Sequence, residues 1–149
     1  RVTDEEFESL DVLNVFLADK MSKTGDQVYA LGFPLTSYQG DELKLTDGIV
    51  SSLSGYQGDI RTYQVTAAIQ PGNSGGPLIN AGGAIIGVNT SAIQGAENVS
   101  YAVKITYLHS LISMIDGITV QSSNSLSGES ISSKVEKLRG QVVQVISFE

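Results

Sequence analysis

Short apolar stretches separated by polar, glycine-containing turns recur through the first two thirds of the sequence. Within these stretches apolar and polar residues alternate, and β-branched and aromatic residues are frequent, which is typical of β-strands. The pattern predicts strands over residues 27–32, 43–46 and 48–53 (one strand or a pair), 60–67, 78–80, 84–89 and 99–103. Strands separated by turns every 8 to 12 residues or so favour a small closed sheet without exposed edges. We therefore predict an all-β fold, a six-stranded antiparallel β-barrel.

The hydrophobic period changes after the last predicted strand. Apolar residues then recur at the i, i+3, i+4 and i+7 positions of a helix, namely Leu108, Leu111, Ile112 and Ile115. Thr106 can cap the start of this helix and Gly117 can end it. The sequence therefore predicts a helix packed on the barrel.

The last part of the chain carries a separate pattern. A serine-rich loop covers residues 121–130, and a second short helix is predicted from the spacing of Ile131, Val135 and Leu138, with Gly140 after it. Residues 141–148 are rich in Val and Ile and predict a terminal strand whose partner the sequence does not identify. We expect this region to extend the barrel as a helix-strand tail.

Composition excludes several classes of function. The net charge of −7 and the absence of Lys and Arg clusters argue against nucleic acid or an anionic membrane as partner. No apolar run approaches the roughly 20 residues of a membrane-spanning helix. With no cysteine and a single histidine, the chain has neither a disulfide framework nor a usual zinc site. We predict no cofactor and no metal.

The stretch from Gln70 to Leu78 carries the candidate chemistry. It reads Gln-Pro-Gly-Asn-Ser-Gly-Gly-Pro-Leu and places Ser74 among glycines between two apolar runs. A nucleophilic serine needs an exposed Oγ and nearby backbone N–H groups that can stabilise an oxyanion, and glycines permit both. The same residue types also form ordinary loops, so the motif by itself leaves both interpretations open.

The surroundings of this motif resemble a known family. Residues 63–71 and 79–90 around the motif, together with 25–35 and 47–53 before it, are similar to the nucleophile region and two further segments of chymotrypsin-fold serine peptidases. The resemblance is to the bacterial HtrA/Deg-like, trypsin-like group and covers roughly residues 16–115. It implies that the barrel is the second of two, with Ser74 as nucleophile and the N–H groups of Gly72, Asn73 and Ser74 as candidate oxyanion donors.

The resemblance also implies a substrate pocket. Its walls match residues just before the nucleophile turn, residues 88–91 and residues 101–103, and include Ala68, Ile69, Val88, Asn89, Thr90 and Tyr101. A pocket for Lys or Arg needs an acidic residue to pair with the buried charge, and Ala68 stands at that place. We expect a preference for small or medium aliphatic side chains, with the substrate added as an antiparallel strand along residues 88–91. Thr66 departs from the family's usual aspartate.

The general base is the part of the site that the sequence does not supply. The only histidine, His109, falls on the predicted helix away from its apolar stripe, where we expect a surface residue. The family takes its histidine and aspartate from the first barrel, and Asp11 is only a faint match to that aspartate. Since the sequence begins with Arg1, we expect a mature form or a piece of a longer protein. We therefore predict a connector from a missing first barrel over residues 1–24, the barrel plus helix over 25–116, and the tail over 117–149.

Three hypotheses remain from the sequence. The chain is part of a serine endopeptidase that acts on polypeptides, or of a catalytically dead pseudopeptidase that binds extended peptides, or a structural barrel with a coincidental turn. The resemblance favours the first and implies an extracytoplasmic location, periplasmic or secreted. We also expect an apolar face where the first barrel docks, which would allow an isolated barrel to self-associate.

Overall fold

Six strands form the framework of the computed structural model, which describes residues 15–34, 40, 42–92, 98–116 and 120–143. The strands are β1 (Gln27–Gly32), β2 (Lys44–Ser52), β3 (Thr62–Val65), β4 (Pro77–Asn80), β5 (Ile85–Ala92) and β6 (Ser100–Lys104). Residues 43–53 thus contribute one strand rather than a pair, β3 is shorter than predicted and β5 is longer. A short 3-10 turn, Tyr56–Gly58, lies between β2 and β3.

The sheet is a closed barrel with the strand order β1-β2-β3-β6-β5-β4, and every pairing is antiparallel. Pairing of β4 with β1 closes it, since Tyr29 faces Ile79 in that register. Closure gives each strand a neighbour on both sides, which removes long exposed sheet edges. The predicted all-β, six-stranded antiparallel barrel is confirmed.

The barrel interior is filled by apolar side chains from all strands. Residues with no exposed surface include Val28, Val50, Tyr63, Val65 and Leu78. The Tyr63 hydroxyl accepts a hydrogen bond from Ser22 N at 3.0 Å, so the one polar atom of this ring is satisfied. Burial raises the pKa of the Tyr63 phenol above its ordinary value.

The first helix, α1, spans Ile105–Ile112, and its N-cap is Lys104, which makes no side-chain capping hydrogen bond. The prediction that Thr106 caps its start is wrong, because Thr106 lies inside the helix. Leu108 and Ile112 pack against the barrel core, as their helical spacing predicted. Leu111 and Ile115, by contrast, are 60% and 54% exposed, so the buried stripe is narrower than the sequence indicated. Gly117, the predicted end, lies outside the described residues.

The second helix, α2 (Ile131–Leu138), matches its prediction and is followed by a 3-10 turn, Arg139–Gln141. Ser130 caps α2, since its side chain accepts a hydrogen bond from Ser133 N at 3.2 Å. The predicted terminal strand is wrong for Gln141, which closes the 3-10 turn, and Val142 and Val143 are in no regular element. Residues 144–149 lie outside the described part of the chain.

At the other end of the described chain, the segment before β1 runs along β5. Ala18 N donates to Ile85 O at 2.9 Å and Ile85 N donates to Phe16 O at 2.8 Å. Leu17 is buried and makes one isolated parallel bridge to Ile85. No helix among the described residues has the length and apolarity that crossing a membrane requires.

Candidate active site

The turn that carries Ser74 is defined by its own backbone hydrogen bonds. Asn73 N donates to Gln70 O at 2.9 Å, and Gly76 N donates to Asn73 O at 3.0 Å. Gly72 and Gly75 have φ angles of 104° and 84°, in the left-handed region that glycine alone adopts readily. Ser74 is exposed at the apex. The two glycines therefore form a turn that exposes Ser74, as their spacing predicted.

The turn packs closely against the end of β1. Phe33 N donates to Gly72 O at 3.0 Å. A Cβ at Gly32 would lie 2.7 Å from both the Cα and the Oδ1 of Asn73, closer than real Cβ atoms approach other atoms. Only a glycine at the end of β1 allows the two backbones to meet, so Gly32 belongs to the site although the sequence analysis did not single it out.

Asn73 is buried beneath the turn. Its side chain is 1% exposed, and its Nδ2 donates to Ala68 O at 3.3 Å. Because the N–H of Asn73 already donates to Gln70 O, it is not free to stabilise an oxyanion. Among the described residues, the N–H groups of Gly72 and Ser74 have no such acceptor. The three predicted donors are thereby reduced to two.

Strand β5 holds the turn from the other side. Gly75 N donates to Asn89 O at 2.8 Å, Asn89 N donates to Gly76 O at 2.9 Å, and Asn89 Nδ2 donates to Pro77 O at 3.2 Å. Asn89 is 1% exposed. Its side chain therefore fixes the exit of the turn, and the prediction that Asn89 lines the substrate pocket is not supported by this geometry.

The Ser74 hydroxyl is paired with a backbone carbonyl. Ser74 Oγ donates to Thr90 O at 2.8 Å. The pairing of β5 with β6 shifts register between Asn89 and Ser91, which places Thr90 in a β-bulge. Beyond Val88, β5 has no partner in β4, whose last partner in that direction is Pro77. Asn89 is bonded to Gly75 and Gly76 of the turn, so β5 lacks a backbone partner on this side only beyond Asn89.

A cavity of about 700 Å³ opens beside the serine. This cavity, the Ser74 cleft, is bordered by the nucleophile turn, by Val88 of β5 and by residues 138 and 141–143 at the end of the chain's described part. Its wall is mainly apolar. Val88 is a predicted pocket residue, whereas the C-terminal residues carry no signal in the sequence for this role beyond the helical spacing of Leu138.

A second cavity of about 430 Å³ lies on the other side of Thr90. Tyr56, Arg61, Thr90, Tyr101 and Tyr107 are among its lining residues. The structure therefore separates Thr90 and Tyr101 from Val88, which borders the Ser74 cleft, whereas the sequence predicted one pocket. The bulge at Thr90 is the physical reason, because it changes which side of β5 successive residues face.

The remaining predicted pocket residues border neither cavity. Ala68 is exposed, and its carbonyl accepts hydrogen bonds from Thr46 Oγ1 at 2.8 Å and from Asn73 Nδ2. Ile69 is 5% exposed and its N–H donates to Ser100 Oγ at 3.3 Å. Ala68 therefore contacts the turn through Asn73, and Ile69 is held in place by Ser100.

None of the described residues that border the Ser74 cleft is charged. At the second cavity, hydrogen bonds from Arg61 lower the pKa of Asp59 below its ordinary range. The Asp59 carboxylate is therefore held as the hydrogen-bond partner of Arg61. Within the described residues no group of His, Asp and Glu side chains could hold a metal ion.

His109 is turned toward a different part of the molecule. It is half-buried on α1, and its Nε2 lies 3.4 Å from Ala18 O. It is not among the residues that border the Ser74 cleft. The prediction of a surface histidine needs the amendment that the ring packs on the segment before β1, and no hydrogen bond joins it to Ser74.

Thr66 has a clear local role. Its Oγ1 accepts a hydrogen bond from Ile49 N at 2.9 Å, and its own N–H donates to Ile49 O at 3.0 Å. The threonine thus ties the end of β3 to β2. The departure from the family's aspartate leaves the local hydrogen bonds satisfied.

A closed antiparallel barrel that presents one serine in a glycine-flanked turn is the architecture of a serine peptidase domain. A family profile described as trypsin-like peptidase domain matches residues 1–88, more than half of the chain. The chain therefore belongs to the trypsin-like peptidase domain family. The predicted likeness to the HtrA-like group is confirmed by the relatives and solved structures below.

Two relatives and one solved structure illustrate the likeness. HhoB of Synechocystis sp., which carries a serine protease name, is 37% identical over 111 residues, which are 70% of this chain and 26% of the relative. A Chlamydia pneumoniae protein is named as a DegP-like periplasmic serine endoprotease. It is 41% identical over 78 residues, which are 50% of this chain and 15% of the relative. The structure described as HtrA-type protease AlgW with decapeptide has a TM-score of 0.56 and 30% identity, covering 65% of this chain and 31% of that chain. The chain thus spans about a quarter or less of these curated relatives.

Proposed function

We propose that this chain carries the nucleophile of a serine endopeptidase and that Ser74 attacks the carbonyl carbon of a substrate peptide bond. The observation that carries the proposal is the placement of Ser74. It is exposed at a glycine-flanked turn that is hydrogen-bonded to β1 on one side and β5 on the other. A nucleophile held in this way loses little freedom when it reacts, which lowers the entropic part of the barrier.

The oxyanion that forms on the attacked carbonyl needs donors aimed at it. The N–H groups of Gly72 and Ser74 are the candidates, because Asn73 N–H is used inside the turn. Backbone donors fixed before the reaction stabilise developing charge without reorganisation, and the loss of one such donor typically costs about 10²- to 10³-fold in rate.

The general base comes from another part of the protein. A serine hydroxyl is a weak nucleophile until a neighbouring base accepts its proton, and here Ser74 Oγ donates to Thr90 O instead. His109, the only histidine, is directed to Ala18 O. We propose that a histidine and an aspartate of the first barrel approach Ser74 and replace its bond to Thr90.

The substrate is an extended polypeptide. Its backbone adds to β5 beyond Asn89, where the strand has neither a β4 partner nor a bond to the turn backbone. The decapeptide in one solved HtrA-type structure supports this class of ligand. The lining of the Ser74 cleft is mainly apolar, which supports a preference for small or medium aliphatic side chains.

We further propose an extracytoplasmic location, which the periplasmic name of one relative supports. The outer side of β2 presents Leu45 and Ile49, which are 37% and 40% exposed. These apolar side chains support self-association of the barrel through this face. Sedimentation that stays monomeric at high concentration would argue against the self-association.

The second candidate function is a pseudopeptidase that holds extended peptides without cleaving them. The hydrogen bond from Ser74 to Thr90 O is the observation that favours it, because a hydroxyl in that state is not activated.

Labelling with a fluorophosphonate separates the two candidates. It is run on this chain and on a form extended upstream, each with Ser74→Ala beside it. The endopeptidase proposal expects labelling of the extended form that depends on Ser74. If neither form labels although both are folded and bind peptide, the pseudopeptidase is the correct function.

A further inference from the structure

Asn89 lies where the strand that receives the substrate meets the turn that carries Ser74. The sequence predicts it as a lining residue of the substrate pocket, but it is 1% exposed and borders neither cavity. We propose that Asn89 is a positioning residue of the peptidase reaction: it holds the Ser74 turn and the Thr90 carbonyl in one arrangement, and it contributes to the rate of attack rather than to peptide binding. This inference rests on the proposed function of Ser74 and deepens it.

The backbone of Asn89 is bonded to the two glycines that follow Ser74. Asn89 O accepts a hydrogen bond from Gly75 N at 2.8 Å, and Asn89 N donates to Gly76 O at 2.9 Å. These two bonds continue the pairing of β4 with β5 into the turn. The exit of the turn is therefore attached to β5 through Asn89, and a shift of Asn89 moves Gly75, the residue next to Ser74.

The side chain of Asn89 adds a bond that its backbone cannot supply. Asn89 Nδ2 donates to Pro77 O at 3.2 Å, so the amide reaches the first residue of β4. Almost any residue can make the backbone bonds of a strand, whereas this bond requires a side chain of the right length that ends in a donor. Asn89 Oδ1 is buried and finds no donor among the described residues, so the amide also carries an energetic cost. An apolar side chain would avoid that cost, and stability alone therefore gives little reason for an asparagine here.

The next residue, Thr90, connects Asn89 to the nucleophile itself. Thr90 O accepts the hydrogen bond from Ser74 Oγ at 2.8 Å. The register of β5 with β6 shifts directly after Asn89, which still pairs with Ala102. Asn89 is therefore the last regularly paired residue before the bulge, and its buried side chain fixes the point from which the Thr90 carbonyl projects. The position of the Ser74 hydroxyl depends on that carbonyl.

This arrangement matters more for the reaction than for binding. Misplacing a reacting group by about 1 Å can cost roughly 10²-fold in rate, because attack requires close and aligned atoms. The proposed substrate strand adds to β5 beyond Asn89, and the buried Asn89 amide is not among the groups that it can touch. Loss of the amide should therefore lower kcat and leave KM nearly unchanged.

Steady-state cleavage of a quenched fluorogenic peptide with a central valine, by the upstream-extended form, tests the inference. Asn89→Thr is close to asparagine in volume and suits a strand, but its side chain is too short to replace the bond to Pro77 O. Asn89→Ala removes the amide outright. Rates are expressed per folded molecule, with the folded fraction taken from denaturant unfolding, so that partial unfolding is not read as lost activity. We expect kcat to fall about 30-fold in both variants, with KM within about 2-fold of wild type.

Asn80→Ala is the matched control. Asn80 lies at the opposite end of β4, and its Oδ1 accepts a hydrogen bond from Ala84 N at 3.0 Å, so this variant also loses a bond between an asparagine side chain and the backbone. Asn80 borders neither cavity, and the variant should keep the wild-type kcat and KM per folded molecule. The inference is overturned if the Asn89 variants cleave as Asn80→Ala does, or if their loss lies in KM with kcat unchanged.

Fluorophosphonate labelling of the same samples lets the two proposals fail separately. The Asn89 variants should label more slowly than wild type, since the probe reacts with Ser74 without peptide binding. Labelling of wild type that depends on Ser74, at a rate that the Asn89 variants share, overturns only the role of Asn89. Absence of both Ser74-dependent labelling and cleavage in wild type overturns the endopeptidase function, and Asn89 then has no reaction to position.

Discussion

The turn around Ser74 and the C-terminal segment, residues 124–143, both border the Ser74 cleft but are held in different ways. The turn is fixed by backbone hydrogen bonds and by contacts so close that only glycine fits, as at Gly32. The segment is fixed by side chains, chiefly Lys134 and the two leucines Leu126 and Leu138. Backbone contacts tolerate almost no change, whereas side-chain anchors can be altered one at a time. The candidate nucleophile thus lies on a rigid support, while the segment beside it is held by contacts that single substitutions can remove.

The largest expected effect comes from crowding the turn. Gly32→Ala would place a Cβ 2.7 Å from the Cα of Asn73, and the backbone there has little room to move. We expect a loss of about 3 kcal/mol in the free energy of unfolding, at the upper end for overpacking. Denaturant unfolding of the variant measures it.

Gly140→Ala is the control for this prediction, because a Cβ at Gly140 meets no atom within 4 Å. Its unfolding should match that of wild type. Equal stability of the two alanine variants would show that the turn is not held by close packing on β1, and the contrast between the regions would fail.

A smaller loss of stability, confined to residues 124–143, is expected when the Lys134 anchor of the C-terminal segment is removed. Lys134→Ala leaves Ala81 O and Glu129 O without their donor and removes a buried side chain. We expect about 2 kcal/mol of destabilisation, felt mainly by α2. Hydrogen exchange should become faster in residues 124–143 while the barrel strands keep their protection.

Lys137→Ala provides the comparison, because Lys137 is 54% exposed and, within the described part of the chain, pairs with Glu129 alone. Exposed ion pairs contribute little, so exchange should change far less. If Lys134→Ala accelerates exchange in the barrel as much as in α2, the two regions unfold as one unit and are not separately held.

The smallest effect is a dependence on pH. Hydrogen bonds from Lys137 and Ser133 hold the pKa of Glu129 below its ordinary value. Since the folded pKa is the lower one, the stabilisation is complete above the ordinary pKa of a glutamate and is lost as the pH falls through the folded value. Exchange in α2 should therefore quicken on acidification, and less so in Glu129→Gln. An identical acid response in the variant would assign the effect to other carboxylates.

Local sequence predicted the parts of the molecule that local chemistry determines. Glycines at positions 72 and 75 predicted a turn that presents Ser74, and alternating apolar residues predicted the strands of the barrel, because each signal lies within a few residues. The helical spacing of Ile131, Val135 and Leu138 likewise predicted α2.

Features that depend on distant residues were not predictable in the same way. The bulge at Thr90 arises from the pairing of β5 with β6, and it divides the residues of the predicted pocket between two cavities. The contact of Lys134 with Ala81 joins residues 53 positions apart, and no local sequence pattern near either residue indicates it.

The central claim is that Ser74 is the nucleophile of a working peptidase, and cleavage of an unfolded protein by the upstream-extended form tests it most directly. Ser74→Ala should lower the rate by about 10³-fold or more. Ser110→Ala, which removes an exposed hydroxyl that donates to Thr106 O, should cleave at the wild-type rate. Cleavage by Ser74→Ala at the wild-type rate would contradict the account.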